Sequence, residues 1–164
     1  YKHYWYIEDD VLFNGEWSKF FEHFNSEKNR SDFLSSYILD FADQPKWNWW
    51  GSLSYRGKLI PDHAKTRSFN PIYRISNKLL KMLDLKLSDG WSGHHEVLIP
   101  TILKWEGLAL QDFGGTGRYV AEGEENMFYH RNDGNIMEDT MRYRPLIDQS
   151  EIQHDLLYHP VKFL

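Results

Sequence analysis

A chain of 164 residues, 41% hydrophobic and 26% charged, can bury one sizeable core, which predicts a single folded domain and rules out a disordered one. The net charge of −5 argues against nucleic acid as a partner, because a surface that tracks phosphates needs dominant positive charge. Cysteine is absent, so no disulfide framework exists and a reducing compartment is favoured. No apolar run approaches the roughly 20 residues of a membrane helix, and no signal peptide is evident. The expectation is a soluble, cytoplasmic chain without a membrane segment.

The first element is an aromatic, strand-like run, Tyr4-Trp5-Tyr6-Ile7, that leads directly into Glu8-Asp9-Asp10-Val11. It reads as a core strand ending in three carboxylates. Unit charges about 4 Å apart interact with about 4 kcal/mol at an effective dielectric of about 20, so such acids protonate, splay into water or hold a cation. A hard divalent ion such as Mg²⁺ or Mn²⁺ suits oxygen ligands of this kind, and ligands of α/β sheets collect at strand carboxyl ends. The competing reading is a solvated acidic turn.

An acidic triplet of Asp-x-Asp type at a strand end resembles the metal motif of the GT-A nucleotide-sugar glycosyltransferases, here in the variant form Glu8-Asp9-Asp10. In that family the last acid binds the metal bridging the donor diphosphate, and the first lies near the ribose or the metal shell. The resemblance implies these roles for Asp10 and Glu8, with Asp9 between them at the donor. GT-A enzymes carry nucleotide-binding strands before this motif. A strand beginning almost at Tyr1 therefore leads us to expect a fragment that lacks that half.

Further along, Asn14-Gly15 predicts a turn, and Trp17, Phe20, Phe21 and Phe24 at i, i+3, i+4 and i+7 predict a helix over 16–24. A loop over 25–32 precedes a strand over 33–41. Trp47, Trp49 and Trp50 then sit in a long irregular stretch, where rings could stack on pyranose faces or simply pack in the core. A strand is expected over 69–75. Ser76 reads as the N-cap of a helix over 77–83.

The segment Asp89-Gly90-Trp91-Ser92-Gly93-His94-His95-Glu96 enters a helix over 94–105, with Pro100 near its first turn or kinking it. Glu96 is the candidate general base, since a positioned carboxylate can take the proton of an attacking hydroxyl. The alternative role is a first-turn acid favoured by the helix dipole. The segment resembles the Gly-Trp-Gly-Gly-Glu-Asp stretch of galactosyltransferase-type GT-A enzymes, where the tryptophan contacts sugar and an acid is the base. Aligned on Trp91 and Gly93, the family's acids fall on His94 and His95, which makes His95 a second candidate. Adjacent helical side chains diverge by about 100°, so His94 and His95 do not share a metal, and no zinc spacing is present.

Gly114-Gly115-Thr116-Gly117-Arg118 reads as a flexible turn rather than a phosphate cradle. Strands are expected over 108–113, 126–129 and 155–158. GT-A enzymes often complete the metal shell with a late histidine, which the resemblance places at His159, with His130 as the rival; Lys162 could touch donor phosphate. The reading is an α/β domain with a mixed, mostly parallel sheet flanked by helices, of incomplete GT-A (Rossmann-like) type. It implies a glycosyltransferase that uses Mn²⁺ or Mg²⁺, a nucleotide-sugar donor and a glycan or other hydroxyl acceptor touched by Trp91, Trp49 and Trp50. Glu8, Asp10 and His159 would hold the metal, and Glu96 would deprotonate the acceptor in an inverting enzyme. The competitors are a carbohydrate-binding or interaction module and a metal-dependent phosphoester hydrolase.

Overall fold

The computed structural model describes residues 2–26, 29–132 and 136–162. In chain order the elements are β1 (His3–Ile7), β2 (Leu12–Phe13), α1 (Trp17–Asn25), β3 (Phe33–Asp40), β4 (Ser54–Tyr55), β5 (Lys58–Leu59), β6 (Thr66–Ser76), α2 (Asn77–Ser88), β7 (Trp91–Ser92), α3 (His95–Trp105), β8 (Leu110–Asp112) and β9 (Leu157–Tyr158). The main sheet has the order β1-β6-β3-β8, while β5-β4-β7 and β2-β9 form two small sheets. The domain is mixed α/β with a mixed sheet flanked by helices.

The expected parallel character is confined to the β3–β8 pair; β6 runs antiparallel to both β1 and β3. Parallel neighbours need a crossover of a dozen or more residues, usually a helix. Between β3 and β6 the chain forms only short 3-10 turns and the β4–β5 pair, with no α-helix, whereas α2 and α3 intervene before β8. β1 is an edge strand rather than a core strand, with Tyr4 and Tyr6 facing outward at 42% and 47% exposure. Its inward residue, Trp5, packs into the aromatic core.

Neighbouring β3 residues point to opposite faces of the sheet, as a strand's period of two requires. Leu34 joins the α1 side with Phe13, Phe20, Phe24 and Phe113. Phe33 joins Ile75, Leu79, Ile99 and Leu103 under α2 and α3. α1 follows the predicted spacing, and Phe20 and Phe24 are its buried residues. Ser76 caps α2 as expected, its Oγ accepting from Leu79 N at 3.0 Å. The helix runs past 83 to Ser88, and the apolar stripe does not mark its last turn because Leu85 and Leu87 are 69% and 51% exposed.

Pro100 lies inside α3. It has no N–H to donate to the carbonyl of Glu96, and that oxygen faces Ser68 Oγ at 3.5 Å instead. The expected strand over 126–129 is not formed; this stretch runs in bends that carry Phe128 and Tyr129 against the α1-side core. Tyr129 Oη instead accepts from Tyr37 N.

The glycine-rich turn uses its amides internally, because Gly114 N and Gly115 N both donate to buried Asp112. A β-carbon at Gly115 would fall 2.2 Å from Tyr129 Oη. Gly115→Ala should therefore cost about 1–3 kcal/mol, as overpacked sites do, and urea denaturation would measure it. An unchanged midpoint would mean that this turn moves freely. Among the described residues, no helix is long and apolar enough to cross a membrane.

Candidate active-site cleft

The ladder between β1 and β6 ends at Ile7 opposite Ile72, and Glu8 N makes one more bond, to Pro71 O at 2.8 Å. The chain then turns, with Val11 N donating to Glu8 O. This turn sends Asp9 to solvent and leaves Glu8 and Asp10 half-buried. A second segment is laced onto the turn, since Val161 N donates to Asp10 O at 2.9 Å. His159 arrives beside the acids as a consequence, its side chain only 7% exposed.

His159 Nδ1 lies 2.7 Å from the carbonyl of Arg142. A carbonyl oxygen only accepts, so Nδ1 carries the hydrogen. Nε2 is thereby turned toward Asp10 Oδ1 at 3.3 Å and Glu8 Oε2 at 3.6 Å. A lone pair facing two carboxylates is satisfied by a proton on Nε2 or by a cation among the three groups. Metal-binding histidines commonly donate their other ring N–H to a backbone carbonyl in this way. One ligand atom from each of Glu8, Asp10 and His159 lies within 4.8 Å of the others, and Asp10 Oδ1 is buried without a hydrogen bond. Two carboxylates and an imidazole fit a divalent ion. Burial raises the pKa of Glu8, with neighbouring His159 opposing and Asp10 and Asp9 reinforcing the shift.

Glu96 occupies the first turn of α3, and its Oε1 accepts from Asn70 N at 3.1 Å. Burial raises its pKa, against the opposing pull of Arg67 and of the Asn70 N–H. The carboxyl is thus shifted toward the range useful to a base. Asn70 Oδ1 accepts from Ser35 Oγ and Ser68 Oγ, which turns Nδ2 toward His95 Nδ1 at 3.2 Å. One asparagine therefore orients both base candidates. Burial, reinforced by His94, lowers the pKa of His95.

These groups share one cleft of about 730 Å³, whose walls include Glu8, Asp10, His159, His95, Glu96 and Trp49. Trp49 is 50% exposed and stacks on His94 at 4.7 Å. The other two expected acceptor contacts, Trp50 and Trp91, are spent on the core. Trp50 is 4% exposed with its Nε1 donating to Gln44 O. Trp91 is 5% exposed between Tyr55 and Trp105. Asp9 lies outside the cleft, and so does exposed His130. Lys162 is exposed and likewise absent from its walls.

Sequence reasoning missed Asn70, Arg67 and Tyr37, which also line the cleft. Tyr37 sits at a register shift of β3 with a φ of 50°, and such bulges commonly re-aim side chains beside sites. Buried polar atoms normally find partners. Yet Asp10 Oδ1, Arg67 Nε and His94 Nδ1, three buried atoms without a hydrogen bond, all belong to residues of this wall. Comparisons with protein-family models, curated proteins and solved structures find no match, so the functional reading rests on the cleft itself.

Proposed function

We propose that this chain is the metal-binding and acceptor-side part of a GT-A-type glycosyltransferase, which moves a sugar from a nucleotide-sugar donor to a hydroxyl acceptor. The observation that carries this reading is the pairing, in one cleft, of the Glu8, Asp10 and His159 donor set with the buried carboxylate of Glu96. Glu8, Asp10 and His159 would hold Mn²⁺ or Mg²⁺, which would supply positive charge to offset the negative charge developing on the leaving group. Glu96 accepts the acceptor hydroxyl's proton at Oε2, because Oε1 is committed to Asn70 N. Trp49 offers a half-exposed ring to a pyranose face.

The half-exposed Trp49 also suits a second reading, a non-catalytic carbohydrate-binding module, which predicts glycan binding without metal. Calorimetric titration of Mn²⁺, with and without UDP, separates the two for wild type and Asp10→Ala. The transferase reading expects Mn²⁺ binding strengthened by UDP and lost in the variant. Binding of glycans but of neither Mn²⁺ nor UDP would overturn it.

A further inference from the structure

The cleft walls carry both a cluster of acids and a buried cation. Glu8, Asp10 and His159 bring one ligand atom each within 4.8 Å of one another. Arg67 lines the same cleft, and the neighbouring charges that oppose the lowering of its pKa by burial are first Glu96 and then Tyr37. Glu96 senses the charge of Arg67 first and that of Glu8 more weakly.

Arg67 is 6% exposed, and burial pulls its pKa down to about 10, so it stays charged at neutral pH. Among the described residues no carboxylate lies within ion-pair distance of it. Its hydrogen bonds are Nη1 to Gln44 Oε1 at 2.9 Å and a stretched 3.4 Å contact from Nη2 to the carbonyl of Ser68. Nε has no partner.

The other buried arginines differ. Arg74 also has an unpaired Nε, but its terminal nitrogens donate to Phe24 O, Asn29 Oδ1, Ser31 O and Ser31 Oγ. Arg142 donates to carbonyls at Met137, Pro145 and Leu146 and meets Glu151. In both, the terminal nitrogens are taken up by groups of the fold, and this holds for Arg142 although it too lines the cleft. Arg67 lies in the cleft wall with its guanidinium over the Trp47 ring, 4.2 Å from the centroid. Stacking on a ring face leaves the N–H edge of the fork for a ligand, and Gln44 is exposed enough to yield its place.

We propose that Arg67 is an oxyanion receptor on the acceptor side of the cleft, so that the acceptor bears a carboxylate or phosphate group beside the hydroxyl presented to Glu96. A buried guanidinium with no carboxylate in ion-pair contact is costly, and a bidentate oxyanion is the partner whose geometry matches its fork. The inference rests on the transferase reading only for the word acceptor; the anion site itself stands without it.

The test uses methyl β-D-glucuronide, glucose 6-phosphate and, as the neutral control, methyl β-D-glucoside. Each is titrated into wild type and Arg67→Gln at constant ionic strength. Wild type is expected to bind at least one acidic probe roughly tenfold or more tightly than the neutral one, the worth of hydrogen bonds to a charged group. The tighter acidic probe identifies the oxyanion. In Arg67→Gln the preference should vanish while Mn²⁺ and UDP binding stay at wild-type strength. Equal affinity for acidic and neutral probes, no binding of either acidic probe, or a preference that survives the substitution overturns the proposal.

Should Arg67→Gln fail to fold by near-ultraviolet circular dichroism, competition in wild type decides. Sulfate, against chloride of matched ionic strength, must weaken the acidic probes alone; equal effects of the two salts overturn the proposal. A wild type that binds neither Mn²⁺ nor UDP but shows the acidic preference, with that preference lost in Arg67→Gln, would strike the transferase reading and leave the anion site standing.

Discussion

Glu96→Gln should lower turnover by about 10² to 10⁴-fold, the usual worth of a positioned general base, while raising the melting temperature of the protein at neutral pH. The loss follows from chemistry, because an amide cannot take the acceptor's proton. Its shape and its hydrogen bond from Asn70 N are kept. Release of nucleoside diphosphate in a donor and acceptor screen with Mn²⁺ is the readout. Full turnover in the variant would mean that His95 is the base or that the enzyme retains configuration and needs none.

The stability gain has a definite sign. Burial raises the pKa of Glu96 in the folded state above its ordinary value of 4.5, so the fold favours the protonated carboxyl. That contribution is fully present below the unfolded-state pKa and disappears as pH rises through the folded-state pKa. At neutral pH the ionised carboxylate is therefore a standing cost, which glutamine removes. Thermal melts should show Glu96→Gln above wild type near neutrality, with the gap closing as pH falls toward 4.5. For the same reason the acid limb of the wild-type rate profile should lie above 4.5. A variant less stable than wild type at neutral pH would show that Arg67 stabilises the charge more than burial penalises it.

The parts of the cleft legible in the sequence were those that advertise themselves locally. Three acids after an aromatic strand and a carboxylate in the first turn of a helix each carry a signal within a short window. His159 carries no such signal of its own and is reached only through the family resemblance. Arg67 and Asn70 escaped because β6 is buried along nearly its whole length, so alternation marks neither face and polar residues within it look like strand filler. Trp50 and Trp91 failed for the opposite reason. An aromatic side chain reads the same whether it packs or binds, and only the tertiary arrangement leaves Trp49 uncovered while burying the other two. Sheet direction was likewise invisible, since it depends on which strand β6 lies beside rather than on the strands' own residues.

Phe20→Ala should cost about 3–5 kcal/mol, as large aromatic truncations in cores do, and lower the melting temperature by on the order of 10 °C for a domain of this size. Phe20 is 1% exposed, and its ring meets those of Trp5, Phe13, Trp17, Phe21, Phe24, Phe113 and Phe128. It is the shared neighbour of α1, of β1 through Trp5 and of the 113–128 region, so its removal opens a cavity where these elements meet. The proposed metal site should feel this only through global unfolding, because Glu8 and Asp10 are tied by Pro71 O and Val161 N rather than by the aromatic rings. Mn²⁺ affinity measured well below the new melting point should therefore match wild type, and the denaturation midpoint alone should move. A variant that keeps its midpoint but loses Mn²⁺ would show instead that Trp5 positions the acids directly, through the edge strand that ends in them.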